Sequence, residues 1–340
     1  MTSPPTDPQP APADPPLLAL AMVIRDEQRF LAEHLAYHRR LGVDRFYLFL
    51  DRCTDATPQI AAAQPAAVVL HRDRRDDETH MSVFQTRCLA EALDLARADG
   101  VAWLLHLDAD EFARGHDPYR RRLPRPRGHR TTDRDLTRAA LPRLFADLPG
   151  HIQQVVLRPL DTLPTPAPPG TPFYHHEHFQ HRGAIRRRIL DPATGQTVDF
   201  RKRLGHYHGK AAVRVGPDVQ PHNAHRWAHR DGSDLPTAHR GVLYHFIAVD
   251  AELWHHKHQK FAEYPAHWEK GNPVRFPKQA WKEAAPRMSP AQAADYFNRY
   301  VALPPARLAR HRLTGNVVRD DFVRHLITSA DPVQPPHGHA

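Results

Sequence analysis

The chain has 340 residues, 25% of them charged and 41% hydrophobic, with a formal net charge of +9 when histidine is neutral. This length suits one large α/β domain or two small ones, and the composition excludes a disordered chain. Two cysteines, Cys53 and Cys88, exclude a disulfide framework and a four-cysteine zinc site, so a reducing cytoplasm is the expected setting.

Residues 1–16 read as a proline-rich disordered leader, without the basic start of a secretory signal. The longest strongly apolar run, 17–24, falls well short of the roughly 20 residues of a spanning helix. Membrane contact is therefore expected only at the periphery, on the inner membrane. From residue 17 a strand-then-helix rhythm sets in. The run 17–24 ends at Arg25, Asp26 and Glu27. Phe30, Leu31, His34, Leu35, His38 and Leu41 then recur at helical spacing, and Gly42 stops that helix. A second run, 46–50, ends at Asp51, and Thr57-Pro58 supplies an N-cap and a first-turn proline for a short helix. A third run, 66–70, leads to Asp73. A helix over 80–98 puts Phe84, Cys88, Ala92 and Leu95 on one face, and a fourth run, 101–107, ends at Asp108.

Four short apolar runs alternating with amphipathic helices predict a parallel sheet covered on both faces. In such a sheet the ligand site lies outside the carboxyl ends of the strands. Those ends carry Arg25, Asp26, Glu27, Asp51, Asp73, Asp108 and Asp110. A cap or loop role accounts for Asp26 or Asp73 singly, but not for the whole set.

Beyond residue 115 the rhythm breaks. Residues 116–134 form a basic loop with seven arginines. A helix is expected at 135–147, a strand at 152–158, a proline-rich loop at 160–172, and short strands and turns over 173–240. A strand at 241–247 and helices near 250–262 and 290–302 follow, and 331–340 reads as a frayed tail. The division is therefore a nucleotide-binding half (17–115), the basic loop, an acceptor half of the same domain (135–262) and a helical extension (263–330).

The segment Leu107-Asp108-Ala109-Asp110-Glu111-Phe112 carries the chemistry. An apolar strand delivers two aspartates at i and i+2, then a glutamate. Mg²⁺ and Mn²⁺ prefer carboxylate and water oxygens and bind readily beside substrate phosphates. Lys210 and Arg214 alternate on an expected strand and share a face, where a phosphate contact is open to them.

These residues resemble the family-2-like bacterial glycosyltransferases, close to the family-92 type. The resemblance runs through Asp26-Glu27, Glu33-His34-Leu35-Ala36-Tyr37-His38, Gly42-Val43-Asp44, Asp51-Arg52-Cys53-Thr54-Asp55 and Trp103 to Phe112. It continues more weakly through Lys210 to Val215, then Leu243-Tyr244-His245-Phe246 followed by Lys257 and Lys260. It implies a GT-A fold, α/β with a mixed, mainly parallel sheet, and a nucleotide-diphosphate sugar donor. It also implies a Mn²⁺ or Mg²⁺ cofactor and inversion at the anomeric carbon. Arg25, Glu27, Asp51, Asp108 and Lys210 would bind the donor, with Asp51 facing the base and Asp108 the ribose. Asp110 and His245 would hold the metal. The acceptor would be a glycan or glycolipid.

Inversion needs a group to take the acceptor proton. Glu177, in Tyr174-His175-His176-Glu177-His178, is the expected catalytic base, with Asp191 and Asp199 as more remote candidates. The histidines beside it do not fix a tetrahedral zinc site. Trp254-His255-His256-Lys257-His258 reads as a solvated helix face. No nucleic-acid partner is expected, because Tyr119 alone does not interleave the basic loop with aromatics. Two other readings stand beside the transferase. A sugar-nucleotide nucleotidyltransferase would need a glycine-rich loop where Arg25-Asp26-Glu27-Gln28 stands. A catalytically inactive binding module would not need the intact acids at 108, 110 and 111.

Overall fold

The computed structural model describes residues 17–119, 131–168, 170–205, 207–268 and 271–329. The leader, the middle of the basic loop and the tail 331–340 lie outside the described residues.

The first half follows its sequence pattern. β1 (Leu18–Ile24) turns Leu18, Leu20, Met22 and Ile24 to one face, against Leu31, Leu35 and Tyr37 of α1 (Leu31–Arg40). Ala19 and Ala21 face the other way, towards Phe84, Cys88 and Ala92, the expected inner face of a later helix. Gly42 ends α1 in the left-handed region, at φ +91, where a side chain would be strained. β2 (Arg45–Leu50), α2 (Thr57–Ala62), β3 (Ala67–His71), α3 (Met81–Ala98) and β4 (Trp103–His106) follow in order. β3, β2, β1 and β4 pair in parallel, with helices on both faces. α2 starts where expected, but the Thr57 hydroxyl does not cap it. That hydroxyl accepts the backbone N–H of Glu27 at 2.8 Å and fixes the loop after β1 instead.

β5 (Glu111–Arg114) follows β4 after a tight turn. The expected helix over 135–147 is two pieces, α4 (Asp133–Ala139) and α5 (Arg143–Ala146). Pro142 stands at the break, and a proline disfavours helical backbone in the residue before it. β6 (Gln154–Thr162) is longer than expected and runs through Pro159. The missing N–H there does no harm, because the neighbouring antiparallel strand pairs only with Gln154 to Leu157. That neighbour comes after β7 (His178–Gln180) and the hairpin of β8 (Arg187–Leu190) and β9 (Thr197–Phe200). It is β10 (Lys210–Arg214), which lies between β6 and β4 and is antiparallel to both. Through it the two halves share one mixed sheet. A hairpin of β11 (Val219–Asn223) and β12 (Arg226–His229) leads to β13 (Thr237–His245), parallel to β6 and antiparallel to β5.

α6 (Ala251–Phe261), α7 (Lys278–Ala284) and α8 (Pro290–Tyr296) enclose a separate apolar cluster of Trp254, Trp281, Tyr296 and Phe297. The segment expected as a solvated face is thus mostly interior. Trp254, His255 and His258 are buried, and Lys257 turns to the strand ends. Its polar composition concealed this, because the histidines are satisfied by backbone carbonyls: His255 by Ala285 and His258 by Trp254.

α9 (Pro305–Leu313), β14 (Val317–Arg319) and α10 (Phe322–Thr328) close the chain, with β14 pairing β7. A buried polar knot ties this end to the sheet. The Arg114 guanidinium donates to the Tyr244 hydroxyl at 3.0 Å and to Asp320 at 3.4 Å, and lies 4.0 Å from the Phe322 ring centroid. Tyr244 also donates to Asp320, at 2.7 Å. Removing one partner of a buried pair costs about 3–5 kcal/mol. Asp320→Ala should lose stability on that scale in urea unfolding, and a loss below ~1 kcal/mol would show that the knot contributes little.

Candidate functional site

The parallel strands β1, β2 and β4 point their carboxyl ends the same way, so the loops after them gather acids on one edge. Asp108, Asp110 and Glu111 occupy the turn between β4 and β5. The turn is closed by the Glu111 N–H donating to the Asp108 carbonyl at 3.0 Å and the Asp108 N–H donating to Glu111 Oε2 at 2.9 Å. Below it, His34 of α1 binds the Glu111 carbonyl at 2.9 Å.

The second half supplies a cation to each acid. Ala212 pairs with Leu105, a register that carries Lys210 to the end of β4. Its ammonium lies 3.0 Å from Asp108 and 3.6 Å from Glu111. Lys257 of α6 donates to Asp110 Oδ2 at 2.7 Å. One turn further along α6, Lys260 donates to Glu27 Oε1 at 3.1 Å and to the Arg25 carbonyl at 2.7 Å. β13 sets His245 beside both Glu111 and Asp161. Its Nδ1 lies 3.0 Å from Asp161 Oδ1 and its Nε2 3.6 Å from Asp110 Oδ2.

These pairs fix the charge states. Desolvation pushes the half-buried Asp108 carboxyl up, but Lys210 outweighs it and holds the carboxyl well below its usual range. Burial opposes Asp110 in the same way, and Lys257 and His245 keep it ionised. Burial lowers His245, yet Asp110 and Asp161 reverse this and raise it to about 10. Glu27 goes the other way. Burial pushes its carboxyl up to about 7 against the pull of Lys260.

A cavity of about 590 Å³ opens beside this group. Asp110, Glu27, Lys257 and Lys260 stand on its polar side, and Phe246 and Leu253 on its apolar side. A second cavity, of about 400 Å³, lies at the ends of β2 and β3, lined by Arg52, Arg74, Arg75 and Tyr264 among others. Asp51 is fully buried next to it, 3.2 Å from Arg52 and 3.0 Å from Arg74.

Of the residues expected from sequence, Glu27, Asp108, Asp110, Lys210 and His245 come together. Arg25 and Asp51 lie along the same edge, joined through Glu263 and Arg74. Glu177 does not join them. It is buried behind β7, its oxygens 2.8 Å from Arg319 and 2.7 Å from Arg324. It lines neither cavity. Both of its oxygens are engaged by guanidiniums, apart from the acids of the β4–β5 turn.

The sequence points to no role for Asp161, Arg74 or Glu263, and it gives Lys257 and Lys260 no link to the acids. One signal was available for the lysines. The chain has seven lysines against 40 arginines, and all seven fall between residues 202 and 282. A chain that uses arginine nearly everywhere reserves its compact ammonium groups for this segment.

Among the described residues, no three His, Cys, Asp or Glu side chains form a ready metal site. The donor set still fits a hard divalent ion of the Mg²⁺ or Mn²⁺ kind. Such ions take one or two carboxylates and complete their shell with water and substrate phosphates. Asp161 holds Nδ1 of His245, and an ion at Nε2 would have to displace the proton that Asp110 and Asp161 keep on the ring.

No family model matches the chain. Two Arabidopsis thaliana proteins described as glycosyltransferase-like are similar to it. One is 25% identical over 222 residues and the other 24% over 218, each match covering 56% of this chain. The matches cover 44% and 39% of those proteins, so the chain spans less than half the length of the curated relatives it matches. Among solved structures, glucosyl-3-phosphoglycerate synthase from Mycobacterium tuberculosis, in complex with Mn²⁺, UDP and phosphoglyceric acid, is 15% identical with a TM-score of 0.29. That match covers 59% of this chain and 56% of the synthase. The mannosyltransferase PcManGT from Pyrobaculum calidifontis, in complex with GDP-Man and Mn²⁺, is 13% identical with a TM-score of 0.33, covering 97% of this chain and 80% of that one. Likeness at these scores is loose and transfers no activity.

Proposed function

We propose that this chain is a glycosyltransferase of GT-A type, close to families 2 and 92. It moves a sugar from a nucleotide-diphosphate sugar onto a glycan or glycolipid, with inversion. One observation carries the reading. The two aspartates that follow β4 meet Lys210, Lys257 and His245 from the second half of the chain, beside a cavity large enough for a sugar. The likeness to glycosyltransferase-like proteins supports it.

In this reading the nucleotide lies across the strand ends from Asp51 to Asp108, with Arg25 and Lys210 on its polar groups. Asp110 and His245 hold Mn²⁺ or Mg²⁺, which when bound supplies positive charge against the leaving diphosphate. Lys257 stands within reach of the same oxygens, and a cation poised where charge develops lowers the barrier. Asp161 keeps the His245 ring oriented. Glu27 is the acid in the cavity whose burial brings it near neutrality, so it replaces Glu177 as the group that takes the acceptor proton. The apolar wall around Phe246 and Leu253 accommodates a sugar face or a lipid-linked acceptor. Among the described residues no helix is long and apolar enough to cross a membrane, and a glycolipid would be met at the surface.

Thermal unfolding with UDP, GDP and their sugars, with and without Mn²⁺, tests donor binding. A ligand at 100 times its dissociation constant adds about 2.7 kcal/mol. The wild type should show a Mn²⁺-dependent shift that Asp110→Ala loses, and no shift with any nucleotide would contradict the reading. Release of free sugar from the donor separates an enzyme from a binding module. Its rate should rise through about pH 7 as Glu27 deprotonates. Glu27→Gln should abolish that limb while keeping the nucleotide shift; an unchanged pH profile would remove Glu27 from the role.

A further inference from the structure

Glu263, just beyond α6, stands among cations drawn from two strand ends. Its carboxylate pairs with Arg25 at 2.5 and 2.9 Å and with Arg74 at 3.4 Å. Arg25 follows β1 and Arg74 follows β3, and the Arg74 side chain is only 8% exposed. Arg74 also contacts Asp51 at 3.0 Å, and its guanidinium lies 4.8 Å from the Tyr264 ring centroid. The backbone next to Glu263 is anchored, because Lys282 donates to the carbonyls of Tyr264 and Pro265. The Glu263 side chain is different. It is 45% exposed and can rotate into solvent with the backbone in place.

Two guanidiniums from separate strands that converge on one carboxylate make a site for an oxyanion. Glu263 pairs with Arg25 through both oxygens, but at 45% exposure water and an incoming anion can compete for the same guanidinium. Arg52 and Arg75 line the cavity beside it together with Asp76 and Glu78, so it is the Arg25–Arg74 pair and not the wider lining that offers an anion its partners. The slot joins the ends of β1 and β3, the two strands that flank β2 and its buried Asp51.

We propose that Arg25 and Arg74 form an anion slot that Glu263 fills in the free chain, and that an incoming phosphate-type oxyanion displaces it. The identity of the incoming anion rests on the transferase reading; the slot does not. Glu263 then acts as an internal competitor that weakens donor binding and keeps two cations paired when no donor is present.

Calorimetric titration with inorganic pyrophosphate, without metal, tests the slot directly. Glu263→Gln should bind it about fivefold more tightly than the wild type, the scale of a partly exposed ion pair. Glu263→Ala should do the same, and Arg74→Gln on top of Glu263→Gln should lose the gain. Equal or weaker binding by both Glu263 variants would overturn the proposal, because a merely structural ion pair gives that result. Titration with UDP and GDP keeps the two claims apart. Tighter pyrophosphate binding with no nucleotide binding would sustain the slot and refute the donor.

Discussion

Carboxylates crowded at one edge of a sheet repel one another and resist burial, so they need cations within contact distance. That constraint shapes this molecule. The β4–β5 turn brings Asp108, Asp110 and Glu111 together, and the first half of the chain offers them no lysine. The second half supplies Lys210 from β10, Lys257 from α6 and His245 from β13. The sheet pairing that joins the halves and the charge pairing at its edge therefore depend on each other. A slip of β10 by one residue would turn Lys210 away from Asp108.

The same pairing prepares the edge for a ligand. An ammonium on a carboxylate holds it ionised, and it can be exchanged for a divalent ion without changing the sign of the local charge. α6 is central to this. Lys257 and Lys260, three residues apart and so on one helical face, reach Asp110 and Glu27. Glu263, beyond the end of the helix, reaches Arg25 and Arg74. A donor lying along the strand ends would meet each of these contacts in turn. The Trp254 cluster beneath the helix gives it a rigid base, which matters because weak polar contacts position groups well only when their support does not move.

The first half was legible because its signals are local. Apolar runs, helical spacing and the glycine after α1 fall within windows of a few residues, and the acids stand directly after the strands. The aspartates at 108 and 110 could be read as a pair because a strand end fixes their spacing. The pairing of each lysine with its acid could not be read, because Lys257 and Asp110 are 147 residues apart and only the folded sheet brings them together. The partners of Glu177, Arg319 and Arg324, come together with it only in the folded chain for the same reason. One misreading has that origin too: the histidine-rich face of α6 looks solvated in composition and is buried by contacts with α7 and α8. Pro159 shows the converse, since a proline expected near a loop sits inside a strand whose neighbour has ended.

Mn²⁺ affinity, measured by electron paramagnetic resonance on the wild type and Lys257→Gln in the absence of nucleotide, tests the central claim most directly. If Lys257 holds the place of a metal on Asp110, removing its charge should tighten Mn²⁺ binding, and adding a nucleoside diphosphate should then give a smaller further gain than in the wild type. Equal Mn²⁺ affinity in both proteins would contradict the account.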